Sequence, residues 1–223
     1  MDITNSVALV TGANRGLGRH FASQLLERGA KVYAGVRNPA TLDLPGVIPI
    51  EIDITDPAAV ERAAKAAGDV TLLINNAGAL NPGSVLTGSM EDVRTEMEVN
   101  YFAPLTVIRA FAPVIEANGG GAILNVLSVL AWYHVDALGA HNAAKAASWA
   151  ATGALRSELA PRGVAVTSLL MGWMSTDLAG FIPDDQKVDP AGVARVALDG
   201  VAAGLPEVLA DATAQHLKST LSA

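Results

Sequence analysis

Short apolar runs alternate along the chain with segments whose apolar residues recur every three or four positions. The runs are typical of buried strands, and the spaced segments are typical of helices with one apolar face. This alternation predicts an α/β fold, a doubly wound parallel sheet of about seven strands with helices on both faces. The predicted strands are 7–10, 31–37, 47–52, 70–74, 122–127, 164–170 and 207–210. The predicted helices are one that begins near 17, then 57–67, 90–118, 139–160 and 190–203.

The first strand runs into a glycine-rich turn, residues 11–18, and from there into a helix. Gly12, Gly16 and Gly18 lie in this turn. Glycine lets a ligand approach the backbone closely, and the unpaired N–H groups and the dipole of a helix N-terminus attract a phosphate. The turn therefore predicts a phosphate or pyrophosphate site. The alternative is a strand–helix turn that binds nothing.

The end of the second predicted strand indicates which dinucleotide such a site would prefer. An acidic residue there would bind the ribose 2′-hydroxyl and repel a 2′-phosphate. Val36 stands where the acid could be, Arg37 follows it, and Arg15 is available from the glycine turn. Two guanidinium groups can hold a phosphate, so we infer NADP(H) as the cofactor. The alternative is a pair of solvated surface arginines.

Length and composition limit the domain organisation and the kinds of partner and ligand that we expect. The chain has 223 residues, a net charge of −7 and no cysteine. The length predicts one domain over 1–223, in which the irregular stretch 171–188 would form a lid over the substrate. The charge argues against a nucleic-acid partner, and the four histidines show no metal-ligand spacing. Because we find no signal sequence and no apolar stretch of membrane-spanning length, we expect a cytoplasmic protein without a membrane partner.

Polar residues follow two of the predicted central strands. Strand 70–74 runs into the sequence Asn75-Asn76-Ala77-Gly78, and strand 122–127 ends at Ser128. Ligands of open α/β sheets bind at the carboxyl ends of the strands, so we expect these residues beside the glycine turn. On the helix 139–160, His141 and Lys145 are four residues apart and share a face.

Pro104 interrupts the predicted helix 90–118, for which Ser89 is the expected N-cap. Proline has no N–H, so the carbonyl of Asn100 loses its helical partner. That carbonyl must then find another donor or a water molecule.

Together these motifs resemble the short-chain dehydrogenase/reductase family over essentially the whole chain. The resemblance rests on the glycine motif, on Asp53 after the third strand, on residues 75–78, and on Asn100, Ser128 and Lys145. It implies a Rossmann-type fold, hydride transfer with a nicotinamide cofactor, a small-molecule substrate, and a homodimer or homotetramer. The catalytic residues would be Asn100, Ser128, His141 and Lys145. The cofactor-binding residues would be Gly12, Asn14, Arg15, Gly16, Leu17, Gly18, Arg37, Asp53, Ile54, Asn76, Ala77, Gly78, Lys145 and Thr176.

The sequence departs from the family pattern at His141, where the family has the tyrosine that donates the proton. A second departure is Met171-Gly172, where the family tends to have proline and glycine. A positive Lys145 beside His141 disfavours the imidazolium, and a neutral imidazole is a poor acid. An imidazolium would be a good acid, but it needs a counter-charge or a water that the sequence does not place.

Three functions remain open. An imine that binds as an iminium ion needs only hydride, so an NADPH-dependent imine reductase would tolerate the loss of the tyrosine. Alternatively, His141 or Tyr133 is the acid of an ordinary ketone or alcohol oxidoreductase. The third function is that of a catalytically weak NADP(H)-binding regulator. We favour the first, with a small cyclic or aromatic substrate. Its pocket could be lined by Trp132, Tyr133, Trp149 and Trp173, which could equally belong to the core or to a dimer interface.

Overall fold

A computed structural model describes residues 1–221. It contains seven parallel strands in the order β3-β2-β1-β4-β5-β6-β7, which confirms the predicted doubly wound sheet. The strands are β1 (Val7–Thr11), β2 (Lys31–Val36), β3 (Ile48–Glu51), β4 (Leu72–Asn75), β5 (Gly121–Val126), β6 (Val164–Leu170) and β7 (Glu207–Leu209). The helices are α1 (Gly16–Glu27), α2 (Pro57–Ala66), α3 (Met90–Met97), α4 (Ala103–Ala117), α5 (Gly139–Leu159), α6 (Pro190–Ala202) and α7 (Ala212–Thr220).

Two apolar cores lie on opposite faces of the sheet. Helices α1 and α6 cover one face, with Phe21 and Leu198 fully buried. Helices α2 and α4 and the end of α5 cover the other, where Phe111 and Ile115 are fully buried. Because both faces are covered, the central strands are apolar almost throughout.

The predicted helix 90–118 is divided into two α-helices by a π-helical segment, Glu98–Phe102. Ser89 caps α3, as predicted, by accepting a hydrogen bond from the N–H of Glu91. The freed carbonyl of Asn100 accepts a hydrogen bond from the hydroxyl of Ser148 on α5, at 2.6 Å. Pro104 therefore changes the local helical pitch, and a side chain of the neighbouring helix provides the missing donor.

Two features at the C-terminal side were not predicted in full. Helix α7 was missed, although Asp211 is a good N-cap and accepts a hydrogen bond from the N–H of Ala214. The segment 171–188 is largely irregular, as expected, but it contains two 3₁₀ turns, at Asp177–Ala179 and Asp184–Gln186. Its role as a substrate lid stays a prediction. No helix among residues 1–221 is both long and apolar enough to cross a bilayer.

The sheet order brings the predicted site residues to one edge. The chain leaves β1 for the glycine turn, β4 for residues 76–78 and β5 for Ser128, and these strands are neighbours. The order changes direction between β1 and β4, which is where ligands of such sheets bind.

Candidate active site

The glycine turn packs its backbone tightly against itself and against the neighbouring strands. Gly12 has a φ of +69°, and its N–H donates to the carbonyl of Gly35. A Cβ at Gly18 would lie 2.2 Å from the carbonyl oxygen of Gly12, so a side chain is excluded there. Arg15 precedes α1 and its side chain does not cap the helix. The N-terminus of α1 thus has the form of an anion site.

Residues 75–78 support this turn from the next strand. The hydroxyl of Thr11 accepts hydrogen bonds from the backbone N–H groups of Asn76 and Ala77, both at 3.0 Å. The side-chain amide of Asn76 donates to the carbonyl of Thr11 at 2.9 Å. Two loops that follow neighbouring strands are therefore held together by one hydroxyl and one amide.

Arg15, Arg37 and Asp53 are the charged residues among the predicted cofactor-binding residues that follow β1, β2 and β3. The Arg15 guanidinium donates to the carboxylate of Asp177, in the segment 171–188, at 3.2 Å, and both side chains are exposed. Hydrogen bonds from Thr55 lower the pKa of Asp53, and the charge of Arg37 adds a smaller effect in the same direction. Arg15 and Arg37 thus have different anionic neighbours in this structure.

The remaining predicted cofactor residues differ in what they present to a ligand. Asn14 is exposed, whereas the side chains of Leu17 and Ile54 are buried. Thr176 packs 3.4 Å from the position that a Cβ would take on Gly16. Only the backbone of Leu17 and Ile54 is therefore available to a ligand at these positions.

The side chains of Ser128 and Lys145 each form one hydrogen bond with the backbone. The Ser128 hydroxyl oxygen accepts the N–H of Leu130 at 3.1 Å, which leaves its O–H as a donor for another acceptor. The Lys145 ammonium donates to the carbonyl of Val126 at 3.3 Å. Burial lowers the pKa of Lys145 to about 8, against a partial opposing effect from the charge of Glu96.

His141 is bound to a buried carboxylate that the sequence analysis missed. Its Nδ1 lies 2.8 Å from Oε2 of Glu96, with His141 5% exposed and Glu96 fully buried. Glu96 also accepts hydrogen bonds from the Asn100 side chain at 2.9 Å and from the N–H of Asn81 at 2.5 Å. Glu96 and Asn100 are four residues apart, at the junction of α3 with the π-helical segment.

Competing effects act on the imidazole. Burial is the largest and lowers the pKa of His141, and the charge of Lys145 lowers it further. The hydrogen bond and the charge of Glu96 raise it, but the net pKa stays below the ordinary value. Lys145 thus opposes the imidazolium, as predicted from the sequence, and Glu96 is the counter-charge that the sequence alone does not place.

One signal in the sequence could have revealed Glu96. It lies one helical turn before Asn100, so the two residues share a face, as His141 and Lys145 do on α5. Nothing local distinguishes it from its neighbours Glu91 and Glu98, which are exposed. Only the packing of α3 against α5 shows which of these carboxylates is buried.

Comparison with known proteins connects these residues to a family. The family model described as short chain dehydrogenase matches residues 6–187. The chain belongs to the short-chain dehydrogenase/reductase family. Its oxidoreductase relatives include a 2,5-dichloro-2,5-cyclohexadiene-1,4-diol dehydrogenase of Sphingobium indicum, 32% identical over 82% of this chain and 78% of that protein. An uncharacterized oxidoreductase of Staphylococcus aureus is 30% identical over 88% of this chain and 90% of its own length.

A solved structure of the same family agrees closely with the fold. A short chain dehydrogenase from Burkholderia cenocepacia, in complex with NADP, is 45% identical. It superposes with a TM-score of 0.95 over 100% of this chain and 95% of its own. The match includes α7 and the segment 171–188, which lie within the covered length.

Within this short-chain dehydrogenase fold, the Met171-Gly172 departure is accommodated by α7. Met171 is buried, and its carbonyl accepts the N–H of Val129 at 3.1 Å. The N–H of Gly172 donates at 2.7 Å to Asp211, the residue that also caps α7. The chain beyond β6 is thereby attached to both β5 and α7.

The three tryptophans fall into two groups, and Tyr133 stacks on His134 instead. Trp132 and Trp149 meet edge to face at 5.8 Å, and the ammonium of Lys218 on α7 lies 4.8 Å from the Trp132 ring centroid. Trp173 packs edge to face on Phe181 within the segment 171–188. Over residues 1–221 there is no group of three or more potential metal ligands.

Proposed function

We propose that the protein is an NADPH-dependent reductase that transfers hydride to the C=N group of a small, cyclic or aromatic iminium substrate. Membership of the short-chain dehydrogenase/reductase family supports an oxidoreductase. The observation that carries the finer proposal is the His141–Glu96 contact. His141 stands at the position where the family has its proton donor, and the contact with Glu96 occupies Nδ1 of its ring. Its surroundings also lower the pKa of His141.

NADP(H) fits the residues at the edge of the sheet. The N-terminus of α1, which has no side-chain cap, suits a pyrophosphate, and Arg37 with Arg15 suits the 2′-phosphate. No acidic side chain follows β2 directly, since Arg37 and Asn38 stand there. The Burkholderia relative contains NADP. When bound, NADPH supplies the hydride.

The chain's own residues then have limited tasks. Ser128 retains an O–H donor toward the acceptor atom, and Lys145 contributes a positive charge at the same edge. Reduction of an iminium ion yields a neutral amine, so no acid has to deliver a proton. Reduction of a ketone yields an alkoxide, for which a mainly neutral His141 is a weak donor.

Carbonyl reduction is the second candidate, because Glu96 is a counter-charge for an imidazolium at His141. In that case His141 delivers the proton to the alkoxide, and the rate falls as the pH rises above the pKa of His141. The third candidate, an NADP(H)-binding regulator, would bind the nucleotide and turn nothing over. We further propose a homodimer or homotetramer, which light scattering would test.

The test is a substrate screen with NADPH over a pH series. A cyclic imine and an activated ketone are compared, and consumption of NADPH is followed by absorbance. We expect turnover of the imine, with a rate that falls as the imine loses its proton. Exclusive turnover of the ketone would support the carbonyl reductase, and protection against heat by NADPH without turnover of either compound would support the regulator.

A further inference from the structure

Glu96 is the one fully buried carboxylate among residues 1–221, and none of the steps proposed above uses it. Its two carboxylate oxygens contact three donors, which belong to three different segments of the chain. One is the backbone N–H of Asn81, one is the amide of Asn100, and one is Nδ1 of His141 on α5. A buried carboxylate is costly unless it is paired and hydrogen-bonded, and this one is both.

The contacts also indicate which nitrogen of the imidazole carries the proton. Asn81 and Asn100 donate hydrogen bonds to the carboxylate of Glu96, and Nδ1 of His141 lies within hydrogen-bond distance of the same carboxylate. An ionised carboxylate only accepts hydrogen bonds, so Nδ1 of His141 must carry a proton. In the neutral ring Nε2 is then the unprotonated nitrogen. The ring also interacts with the backbone of Ala79.

We infer that Glu96 is a positioning residue of this site, which holds His141 through Nδ1–H and neutralises the positive charge of Lys145. The inference deepens the proposed reductase function and rests on it for its catalytic consequence. With Glu96 ionised, Lys145 protonated and His141 neutral, the three residues carry no net charge. Such a site accepts a cationic iminium substrate more readily than one with an unbalanced lysine.

The charged groups around the cluster of Glu96 and its hydrogen-bond donors come from one helix. Among residues 1–221, His141 and Lys145 of α5 are the ionisable groups that act on the cluster, whereas residues 79–81 and the π-helical segment contribute neutral groups. Glu96 raises the pKa of both His141 and Lys145. Removal of its charge must therefore lower both values.

The first experiment is independent of turnover. Histidine labelled with ¹⁵N is introduced into the full chain, and the His141 signals are identified by comparison with a His141→Asn variant. We expect the neutral His141 ring to carry its proton on Nδ1, and to lose that preference in Glu96→Gln. A ring protonated on Nε2 in the unaltered protein would overturn the inference, whether or not the protein is a reductase.

The second experiment measures the pH dependence of turnover for a cyclic imine and an activated ketone. For the ketone, we expect Glu96→Gln to move the alkaline limb to lower pH by about one unit, since the charge that raises the pKa of His141 and Lys145 has been removed; for the imine, that limb follows the substrate's own proton and should not move. We also expect kcat/KM for the cationic imine to fall by at least about tenfold, and that for the ketone to fall less. Glu98→Gln, which removes an exposed charge two residues away, should change neither.

Three further outcomes keep the inference testable. If Glu96→Gln does not fold, Glu96→Asp is used, which keeps the charge and should keep the alkaline limb while it weakens the contact with His141. Equal losses for imine and ketone with an unshifted pH profile would overturn the electrostatic role. Failure of all turnover, with the Nδ1 proton intact, would refute the reductase proposal and leave the role of Glu96 toward His141 standing.

Discussion

The two halves of the candidate site are built in different ways. The cofactor half, around β1, α1 and residues 75–78, presents mainly backbone groups and is held by hydrogen bonds between Thr11 at the end of β1 and the residues that follow β4. The catalytic half, around Glu96, His141 and Lys145, consists of ionisable side chains on separate helices, buried together. Under the proposed function, the first half would bind the phosphates of the cofactor, and the second would set which acceptor is reduced. Changes in the two halves should therefore have separable effects on binding and on turnover.

The largest effect is expected at Lys145, in the catalytic half. Lys145→Met removes the ammonium that would stabilise a developing alkoxide, and we expect turnover of the activated ketone to fall by roughly 100-fold or more, and that of the cationic imine to fall less. Because Lys145 is also one of the predicted cofactor-binding residues, we expect NADPH affinity to fall as well, but by less than turnover. Steady-state kinetics together with NADPH titration measure both quantities. Lys65→Met, at an exposed position of α2, is the matched control, and an equal loss there would remove the argument.

The same substitution should stabilise the fold. Lys145 binds its proton less well in the folded chain, where its pKa is about 8, than in the unfolded chain, where it is near 10.5. Between these values the unfolded state binds more protons, so the stability of the unaltered protein rises with pH. At pH 7 we expect Lys145→Met to raise the free energy of unfolding by about 1–3 kcal/mol, with the gain lost above pH 10.5. Urea unfolding at pH 7 and pH 10.5 tests this sign.

In the cofactor half, the largest expected effect follows from a single methyl group. Gly18→Ala places a Cβ against the carbonyl of Gly12 and the amide of Asn76. We expect NADPH affinity to fall at least about tenfold and the fold to lose about 1–3 kcal/mol. Gly153→Ala on α5 is the control, because its Cβ would meet nothing within 4 Å, and it should stabilise the helix by up to about 1 kcal/mol. Calorimetry and thermal unfolding would show whether the two glycines behave alike.

The same division explains what could be predicted from the sequence. The strands, the glycine turn and the freed carbonyl of Asn100 follow from local rules, such as apolar periodicity or the missing N–H of Pro104, and the structure confirms them. The role of each cofactor residue remains a prediction. Glu96 was missed because its burial depends on the packing of α3 against α5, which no local pattern encodes. For the carbonyl of Asn100, the sequence likewise predicted the need for a donor but did not identify Ser148 as that donor.

A smaller effect should follow from restoring a tyrosine in the catalytic half. In His141→Tyr the carboxylate of Glu96 loses the donor on Nδ1 and its negative charge opposes ionisation of the phenol. We therefore expect only a slight gain in ketone reduction from this variant. The double variant His141→Tyr with Glu96→Gln should reduce the ketone about tenfold faster than His141→Tyr alone, measured as kcat/KM. If the two variants are equal, Glu96 does not influence the group at position 141.

The smallest of these effects concerns the choice between the two nicotinamide cofactors, and it tests the cofactor half alone. Arg37 follows β2 and acts on Asp53 only weakly, so its guanidinium is available to a 2′-phosphate. Arg37→Ala removes charge-assisted hydrogen bonds to that phosphate, and we expect the KM for NADPH to rise severalfold, up to about tenfold. The KM for NADH should stay nearly constant, because NADH has no 2′-phosphate. Arg195→Ala, an exposed arginine on α6, should leave both values unchanged. Since the charges of Glu96, His141 and Lys145 are untouched, kcat should hold as well, and a fall in kcat without a rise in KM would show that the two halves are not independent.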